Sequence, residues 1–188
     1  MARQVVLVNG LPGSGKTTLA APLAARLGTP LLAKDALKEA LADAVEPAAY
    51  PGVGIAAAEA LWRLAAAPLP RVVIESWWFR PRDLDHALRG LATAGADAVV
   101  EVWCDVPPDV ARERFEARAA ARHPVHADGR DLAADWARWA EHGAPLALGP
   151  VLRVDTGGPV DVTLLAHRVA AVLSGRDPRR TGTATRRA

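Results

Sequence analysis

Short apolar runs of strand length alternate along this chain with longer segments whose apolar residues recur at helical spacing. The apolar runs lie at residues 5–9, 30–34, 71–76, 98–104 and 151–155. The helical patterns lie at residues 15–27, 35–44, 55–67, 82–94, 108–121, 131–141 and 160–173. Strands joined by helical crossovers form a parallel sheet that is covered by helices on both faces. The pattern therefore predicts one α/β domain built on a five-stranded parallel sheet.

Three segments interrupt this alternation. Residues 48–54, AAYPGVG, are rich in turn-forming residues and predict a loop. Residues 122–131, RHPVHADGRD, are polar, turn-rich and flanked by helical patterns, which is typical of a lid over an active site. Residues 176–188 show no apolar periodicity and predict a disordered basic tail. We therefore expect the folded domain to cover residues 1–175.

The composition is that of an ordinary globular domain, since 51% of the 188 residues are apolar and 23% are charged. Between charged residues, no apolar run approaches the roughly 18 residues that a membrane-spanning helix needs, so we expect no membrane partner. The first residues lack the charged and then apolar pattern of a secretion signal, and Cys104 is the only cysteine. A cytoplasmic location is the expectation that follows.

The positive net charge of the chain, +2 at neutral pH, comes from its tail. Five arginines against one aspartate after Gly175 give the tail a charge of +4, which leaves about −2 for the rest of the chain. A nucleic-acid surface is usually a basic patch on the folded body. The charge distribution therefore argues against a nucleic-acid partner.

Residues 10–17, GLPGSGKT, match the phosphate-binding pattern G-x-x-x-x-G-K-[ST] in full, between a predicted strand and a predicted helix. Glycines let the backbone wrap around an anion, and the start of the helix adds N–H groups and a favourable dipole. The expected ligands are ATP or GTP with Mg²⁺, with Lys16 on the β- and γ-phosphates and Thr17 on the metal ion. The residues expected to bind the nucleotide are Gly10, Gly13, Ser14, Gly15, Lys16, Thr17 and Thr18.

Asp35 follows the second predicted strand and opens the next helical pattern. The first two strands of such a sheet end at the same crevice, so the Asp35 carboxylate is expected near the γ-phosphate. There it would accept the proton of an acceptor hydroxyl group as a general base. Aspartate is also a common helix cap, and a purely structural role is the alternative.

The segment VLVNGLPGSGKTTLAAPLAARLGTPLLAKDALKEAL resembles the N-terminal part of small P-loop kinases such as chloramphenicol phosphotransferase, gluconate kinase, the zeta-toxin kinases and the kinase domain of polynucleotide kinase. Two later segments, CDVPPDVARERFEARAAAR and VDTGGPVD, are similar to the lid-approach helix and the adenine loop of that group. The resemblance implies an adenylate-kinase-like P-loop NTPase fold with strand order 2-3-1-4-5. It also implies that Asp35 serves as general base or substrate anchor.

Arginines follow one another at helical spacing before the predicted lid. Arg114, Arg118 and Arg122 are four residues apart, so they would share one face of the predicted helix. Together with Arg112 they would clamp a phosphoryl group as charge develops on it. We assign catalytic roles to Arg118 and Arg122, which lead into the lid. A solvated helix face with acidic partners is the alternative.

The segment after the third predicted strand supplies candidates for the metal and acceptor sites. Glu75 ends that strand, where an acidic residue would hold Mg²⁺ through water or contact the acceptor; capping of a neighbouring loop is the alternative. Trp77 and Trp78 are expected to point to opposite sides of an extended chain, with one ring in the core and one in the acceptor cleft. We assign Trp78 and Arg80, together with Asp35 and Glu75, to acceptor binding.

Other tryptophans divide between the core and the cleft. Trp136 and Trp139 share a helix face, and with the Trp77–Trp78 pair they would suit a planar or partly apolar acceptor. For Trp62, Trp103 and Trp139, filling of the core is the preferred interpretation.

These features predict an ATP- and Mg²⁺-dependent phosphotransferase that moves the γ-phosphate to a hydroxyl group of a small molecule, with an antibiotic or a nucleoside-like compound as candidate. A polynucleotide or nucleotide kinase is one alternative, against which the charge of the body argues. A regulatory nucleotide-binding module without an acceptor is another, and it would need no base at Asp35. The oligomeric state, the choice between ATP and GTP, and the identity of the acceptor stay open.

Overall fold

The structure is a computed structural model that describes residues 3–126 and 131–175. The predicted tail, residues 176–188, lies outside the described residues, and so do residues 127–130 of the predicted lid. Within the described part of the chain, no helix is long and apolar enough to cross a membrane.

Five parallel strands form one sheet in the order β2-β3-β1-β4-β5, which confirms the predicted order. The strands are β1 (Gln4–Asn9), β2 (Leu31–Ala33), β3 (Arg71–Glu75), β4 (Ala98–Asp105) and β5 (Val151–Asp155). Strand β1 lies at the centre, so the phosphate loop leaves the sheet between the carboxyl ends of β3 and β4. This is the edge at which open α/β sheets bind their ligands.

Within the described residues, seven α-helices connect and cover the strands. They are α1 (Lys16–Leu27), α2 (Lys34–Ala42), α3 (Tyr50–Ala65), α4 (Arg80–Ala94), α5 (Pro108–Ala117), α6 (Leu132–His142) and α7 (Val162–Leu173). Short 3₁₀ turns lie at Pro47–Ala49, Ala119–Ala121 and Pro124–His126.

Among the described residues, three of the four apolar clusters lie against the sheet and the phosphate loop. Alternate residues of β1 face opposite sides of the sheet, so Val6 and Val8 pack with α1 and α7, whereas Val5 and Leu7 pack with α3 and α4. The third cluster lies beside the phosphate loop, where Leu11 packs with aromatic residues of α5, α6 and the segment after β3. The phosphate loop is therefore supported by packed side chains on its inner side.

The loop predicted at residues 48–54 is wrong, because α3 begins at Tyr50. Pro51 stands in the first turn of the helix, where its missing N–H group has no partner to lose. Val53 is buried against Ala42 and Val125, and this packing outweighs the weak helix propensity of the neighbouring glycines.

The helix predicted at residues 108–121 is too long. It ends at Ala117, and a 3₁₀ turn follows at Ala119–Ala121. Arg122 is extended, with its guanidinium 4.5 Å from the centre of the Phe115 ring, so the chain folds back over α5. The expectation that Arg122 shares one helix face with Arg114 and Arg118 is therefore wrong.

Candidate functional site

The phosphate loop, residues 10–15, depends on glycine for its conformation and for its close contacts. Gly13 and Gly15 have φ angles of +84° and +89°, in the left-handed region that favours glycine. A Cβ atom on Gly13 would collide with the carbonyl oxygen of Ala111 in α5. The backbone N–H groups of the loop are thus free of side chains that would obstruct an anion.

Lys16 opens α1 and folds its side chain back over the loop. The side chain is only 8% exposed, and Nζ donates to the carbonyl oxygens of Gly10 at 2.9 Å and Leu11 at 2.8 Å. Burial lowers the pKa of Lys16, while the charges of Glu75 and Asp35 oppose that shift. The ammonium group is therefore already at the loop, where it would contact phosphate oxygens.

Thr17 and Glu75 bring two oxygen ligands together across the crevice. The hydroxyl group of Thr17 donates to Glu75 Oε1 at 3.4 Å, and Glu75 is 4% exposed. Burial raises the pKa of Glu75, and Lys16 and the Thr17 hydroxyl group partly offset this. A hydroxyl and a carboxylate fit a Mg²⁺ ion that takes its other ligands from phosphates and water. Among residues 3–126 and 131–175, no cluster of three or more histidine, cysteine or acidic side chains offers an alternative metal site.

Asp35 lies in the first turn of α2, with its side chain exposed to the crevice. Ala33 occupies the cap position of this helix, which has no side-chain cap, so Asp35 is not the N-cap that the alternative interpretation required. Its negative charge opposes the lowering of the Lys16 pKa by burial and adds to the raising of the Glu75 pKa by burial. The structure thus brings Asp35, Lys16 and Glu75 to one site.

The arginines of α5 take different positions. Arg114 donates to the carbonyl oxygens of Thr156 at 3.0 Å and Gly157 at 2.9 Å, and so fixes the loop between β5 and α7. Arg118 lies close enough to Lys16 to lower its pKa, and its Nε donates to the Arg114 carbonyl. Arg112 pairs with an exposed glutamate on the same helix.

A pocket of about 580 Å³ adjoins the phosphate loop. It is lined by Gly13, Gly15, Thr18, Leu19, Arg114, Ala117, Arg118, Thr156, Gly158, Pro159, Val160 and Val162. The hydroxyl group of Thr156 donates to the Ser14 carbonyl at 2.7 Å and joins the floor of the pocket to the loop. Its size and mixed lining suit the nucleoside part of a nucleotide.

The predicted aromatic wall of the acceptor site is largely absent. Trp78 is 4% exposed and packs against Trp62 in the core, so its assignment to acceptor binding is wrong. Its backbone N–H and carbonyl groups are both hydrogen-bonded to the Asn9 side chain, which holds this segment against β1. Trp136 is buried as well, and Trp77 is only partly exposed.

Three other tryptophans fill the core, as expected: Trp62, Trp103 and Trp139 are buried. Arg80, the other acceptor candidate, is exposed at the start of α4, and its Nε donates to the Leu146 carbonyl at 3.3 Å. Arg80 therefore lies against the loop after α6.

The described part of the predicted lid lies against α2. His126 Nε2 is 2.9 Å from a carboxylate oxygen of Glu39, and His123 Nε2 is 3.1 Å from one of Asp43. The ammonium group of Lys38 donates to the Val125 carbonyl at 3.0 Å. The segment that leads into the lid thus contacts the helix that carries Asp35.

Comparison of sequences links the chain to one protein family. The sequence profile of the AAA domain family AAA_33 matches residues 5–141. Uncharacterized proteins of Mycobacterium tuberculosis and Mycobacterium bovis are each 31% identical over 170 aligned positions, which cover 83% of this chain. The chain spans about a third of the length of these curated relatives, since the alignment covers 32% of each.

Solved structures show the same architecture. A candidate kinase from Chloroflexus aurantiacus matches with a TM-score of 0.76 and 31% identity, over 92% of this chain and 100% of that one. A gluconokinase from Sinorhizobium meliloti matches with a TM-score of 0.53 and 18% identity, over 91% of each chain. The fold is that of the P-loop kinases. The narrower grouping with chloramphenicol phosphotransferase and the zeta-toxin kinases stays a prediction.

Proposed function

This chain belongs to the AAA domain family AAA_33, and from that premise and the geometry of the site we propose that it is a phosphotransferase. It uses ATP or GTP with Mg²⁺ and transfers the γ-phosphate to a hydroxyl group of a small molecule. The pocket of about 580 Å³ holds the nucleoside, and the phosphate loop holds the phosphates.

The position of Asp35 is the observation that carries this proposal. Its carboxylate faces the crevice beside Lys16 and Glu75 without serving as a helix cap. A regulatory nucleotide-binding module needs no base beside the γ-phosphate, whereas a kinase has to receive a proton from its acceptor. The placement therefore favours a kinase over the regulatory alternative.

Each residue of the site has a defined task in the transfer. Thr17 and Glu75 would hold Mg²⁺, which would neutralise charge on the phosphates when bound. Lys16 and Arg118 contact the phosphate oxygens on which negative charge develops. Asp35 accepts the proton of the acceptor hydroxyl group while the oxygen of that hydroxyl group bonds to the γ-phosphorus. The bond between the γ-phosphorus and the β,γ-bridging oxygen breaks. The products are a phosphate ester and a nucleoside diphosphate.

The acceptor is a small molecule that fits between α2, the carboxyl end of β3 and residues 122–126. Burial of Trp78 and Trp136 removes most of the aromatic surface that had favoured a planar antibiotic. Antibiotics and nucleosides stay among the acceptors to be tested. Sugars and sugar acids join them, because the chain shares its fold with a gluconokinase.

The test is transfer of radioactive phosphate from γ-labelled ATP, with Mg²⁺, to a panel of these acceptors. We expect at least one acceptor to be labelled, and Asp35→Asn to lower that rate by about 10²–10⁴-fold while nucleotide affinity stays within a few-fold. The asparagine side chain keeps the size of aspartate but cannot take the proton.

Asp85→Asn is the matched control, because Asp85 is an exposed aspartate on α4. It should transfer phosphate at the wild-type rate. Nucleotide hydrolysis without labelling of any acceptor would favour the regulatory module, and labelling of a 5′-hydroxyl end of DNA or RNA would favour a polynucleotide kinase. An Asp35→Asn variant with wild-type transfer would show that Asp35 is not the base.

A further inference from the structure

Two polar side chains are completely buried beside the phosphate loop, and the transfer reaction does not use them. Asn9 ends β1 and Glu101 lies in the middle of β4, and each is 0% exposed. Glu101 is in register with Leu7, so both polar side chains lie on the sheet face covered by α3 and α4. Burial of polar groups is costly unless they are hydrogen-bonded, so their partners indicate their role.

The Asn9 amide uses all four of its hydrogen-bonding positions. Its Oδ1 accepts from the backbone N–H of Gly10 at 2.8 Å and of Trp78 at 3.0 Å. Its Nδ2 donates to the Trp78 carbonyl at 3.2 Å and to Glu101 Oε1 at 2.9 Å. One side chain therefore joins the first residue of the phosphate loop to the segment that follows Glu75.

The Glu101 carboxylate holds the loop between α6 and β5. Besides the Asn9 amide, it accepts from the backbone N–H groups of Leu146 at 3.0 Å and Ala147 at 2.8 Å. Ala147 has a φ of +56°, which is uncommon for a residue with a Cβ atom. The hydrogen bond to Glu101 Oε2 helps to keep Ala147 in this conformation.

The same loop continues from α6, the helix that follows the predicted lid. Trp139 of α6 packs in one cluster with Leu11 of the phosphate loop. Gly143, directly after α6, lies so close that a Cβ atom there would be 2.8 Å from Leu11 Cδ2. The buried network thus lies where the phosphate loop, the β3 end and the end of α6 meet.

We propose that Asn9 and Glu101 are positioning residues, which fix the phosphate loop relative to the Glu75 strand and to α6. This inference rests on the proposed nucleotide-dependent function. The two side chains act through the backbones of Gly10, Trp78 and Ala147, so they shape nucleotide binding without contacting the nucleotide.

Glu101→Gln is the variant that tests this role in the full chain. Glutamine keeps the size of the side chain and can keep its oxygen toward Asn9 and Leu146. Its amide nitrogen would then face the Ala147 N–H, and a donor cannot accept that bond. We expect the affinity for AMP-PNP with Mg²⁺, measured by calorimetry, to fall about ten- to a hundredfold, as for other supporting residues around a site.

Two further variants separate positioning from stability. Asp97→Ala removes a carboxylate that accepts the Arg3 N–H near the start of β4, at the opposite edge of the sheet. It should lower the melting temperature without changing AMP-PNP affinity. Ala147→Gly, added to Glu101→Gln, lets residue 147 adopt its positive φ without the hydrogen bond to residue 101. This double variant should recover most of the AMP-PNP affinity.

The outcomes are distinct. A Glu101→Gln protein that melts lower than wild type but binds AMP-PNP equally well would show a structural role only and overturn the proposal. If this variant does not fold, hydrogen exchange of the wild type decides, since added AMP-PNP should protect the amides of Leu146, Ala147 and Leu148, and unchanged protection would overturn the proposal. If the wild type itself does not bind AMP-PNP, the proposed function fails, and that result is visible before any variant is made.

Discussion

The carboxylate of Glu75 is subject to two opposing requirements. A carboxyl group that binds magnesium has to be ionised, yet burial raises the pKa of Glu75 above its ordinary value of 4.5, and Lys16 offsets this only in part. Because the folded protein then binds this proton more tightly than the unfolded chain, ionised Glu75 lowers stability at neutral pH. This loss of stability is present at pH values above the pKa of Glu75 in the folded protein, and it disappears as the pH falls through that pKa.

We expect Glu75→Gln to raise stability and abolish magnesium-dependent binding. Glutamine stays neutral, so the melting temperature at pH 8 should exceed that of the wild type, and the difference should shrink as the pH falls and Glu75 itself becomes protonated. Melting curves between pH 5 and pH 8 and calorimetry with AMP-PNP, with and without Mg²⁺, measure both effects. Equal melting temperatures at every pH, or an unchanged effect of Mg²⁺, would contradict this account of Glu75.

At the residue scale, the sequence allowed prediction where the chemistry is local. The positions of Lys16 and Thr17 follow from the glycines beside them, because these set the backbone of the loop. Trp78 and Arg122 could not be placed in this way. The backbone of Trp78 is held by Asn9, 69 residues away, and the Arg122 guanidinium lies over the ring of Phe115.

Among the helices, α3 and α4 meet at Gly90, which lies directly against the Trp62 side chain. A Cβ atom there would collide with the indole ring of Trp62. That ring cannot easily move aside, because its Nε1 donates to His86 Nε2 at 3.2 Å and its face packs against Trp78. Glycine at this position therefore sets the distance between the two helices.

Gly90→Ala should destabilise the protein by about 1–3 kcal/mol, the usual cost of adding an atom to a filled core. Gly52→Ala is the matched control, since Gly52 also lies in a helix but has open space around it. That change should be neutral or stabilising by up to about 1 kcal/mol, because alanine favours helix. Urea unfolding of both variants gives the two free energies, and equal values would exclude the collision as the cause.

The helices also show where prediction from the sequence ends. The alternation of strands and helices was sufficient to predict the sheet, because buried parallel strands are continuous apolar runs. The start of α3 was not predictable, because Pro51 and its neighbouring glycines favour a turn and only the burial of Val53 stabilises the helix there. Glu101 is a charged residue inside the apolar run at 98–104, and this position alone indicated a buried polar role.

On the scale of the whole molecule, contacts between distant segments join the lid approach to α2. His123 and Asp43 form one of these contacts, and the Asp43 side chain is largely exposed. Exposed pairs of this kind add little stability, whereas Val125 of the same segment is buried against α2 and α3. Because α2 also carries Asp35, closure of the segment and completion of the acceptor site are expected to occur together.

We expect nucleotide and acceptor to increase the protection of residues 122–126 against hydrogen exchange. Hydrogen exchange measured by mass spectrometry, with and without AMP-PNP and Mg²⁺, tests this expectation. Peptides from β1 serve as the internal control, because Val5 to Val8 are fully buried and should exchange slowly in both states. Equal protection of residues 122–126 in the two states would contradict this expectation.

The rate at which a thiol reagent labels Cys104 would measure how often the structure beside the nucleotide site opens. Burial raises the pKa of this thiol to about 12, so at pH 8 only about one molecule in 10⁴ carries the reactive thiolate, and packing between the sheet and helices α1 and α7 shields it from reagents. Labelling by a thiol reagent therefore has to wait for this packed layer to open. A nucleotide that binds only the closed form should slow labelling about a hundredfold at a hundred times its dissociation constant. The labelling rate of Cys104, the sole cysteine of the chain, therefore reports how often the layer around it opens. A labelling rate that is the same with and without nucleotide would show that this opening does not disturb the phosphate loop.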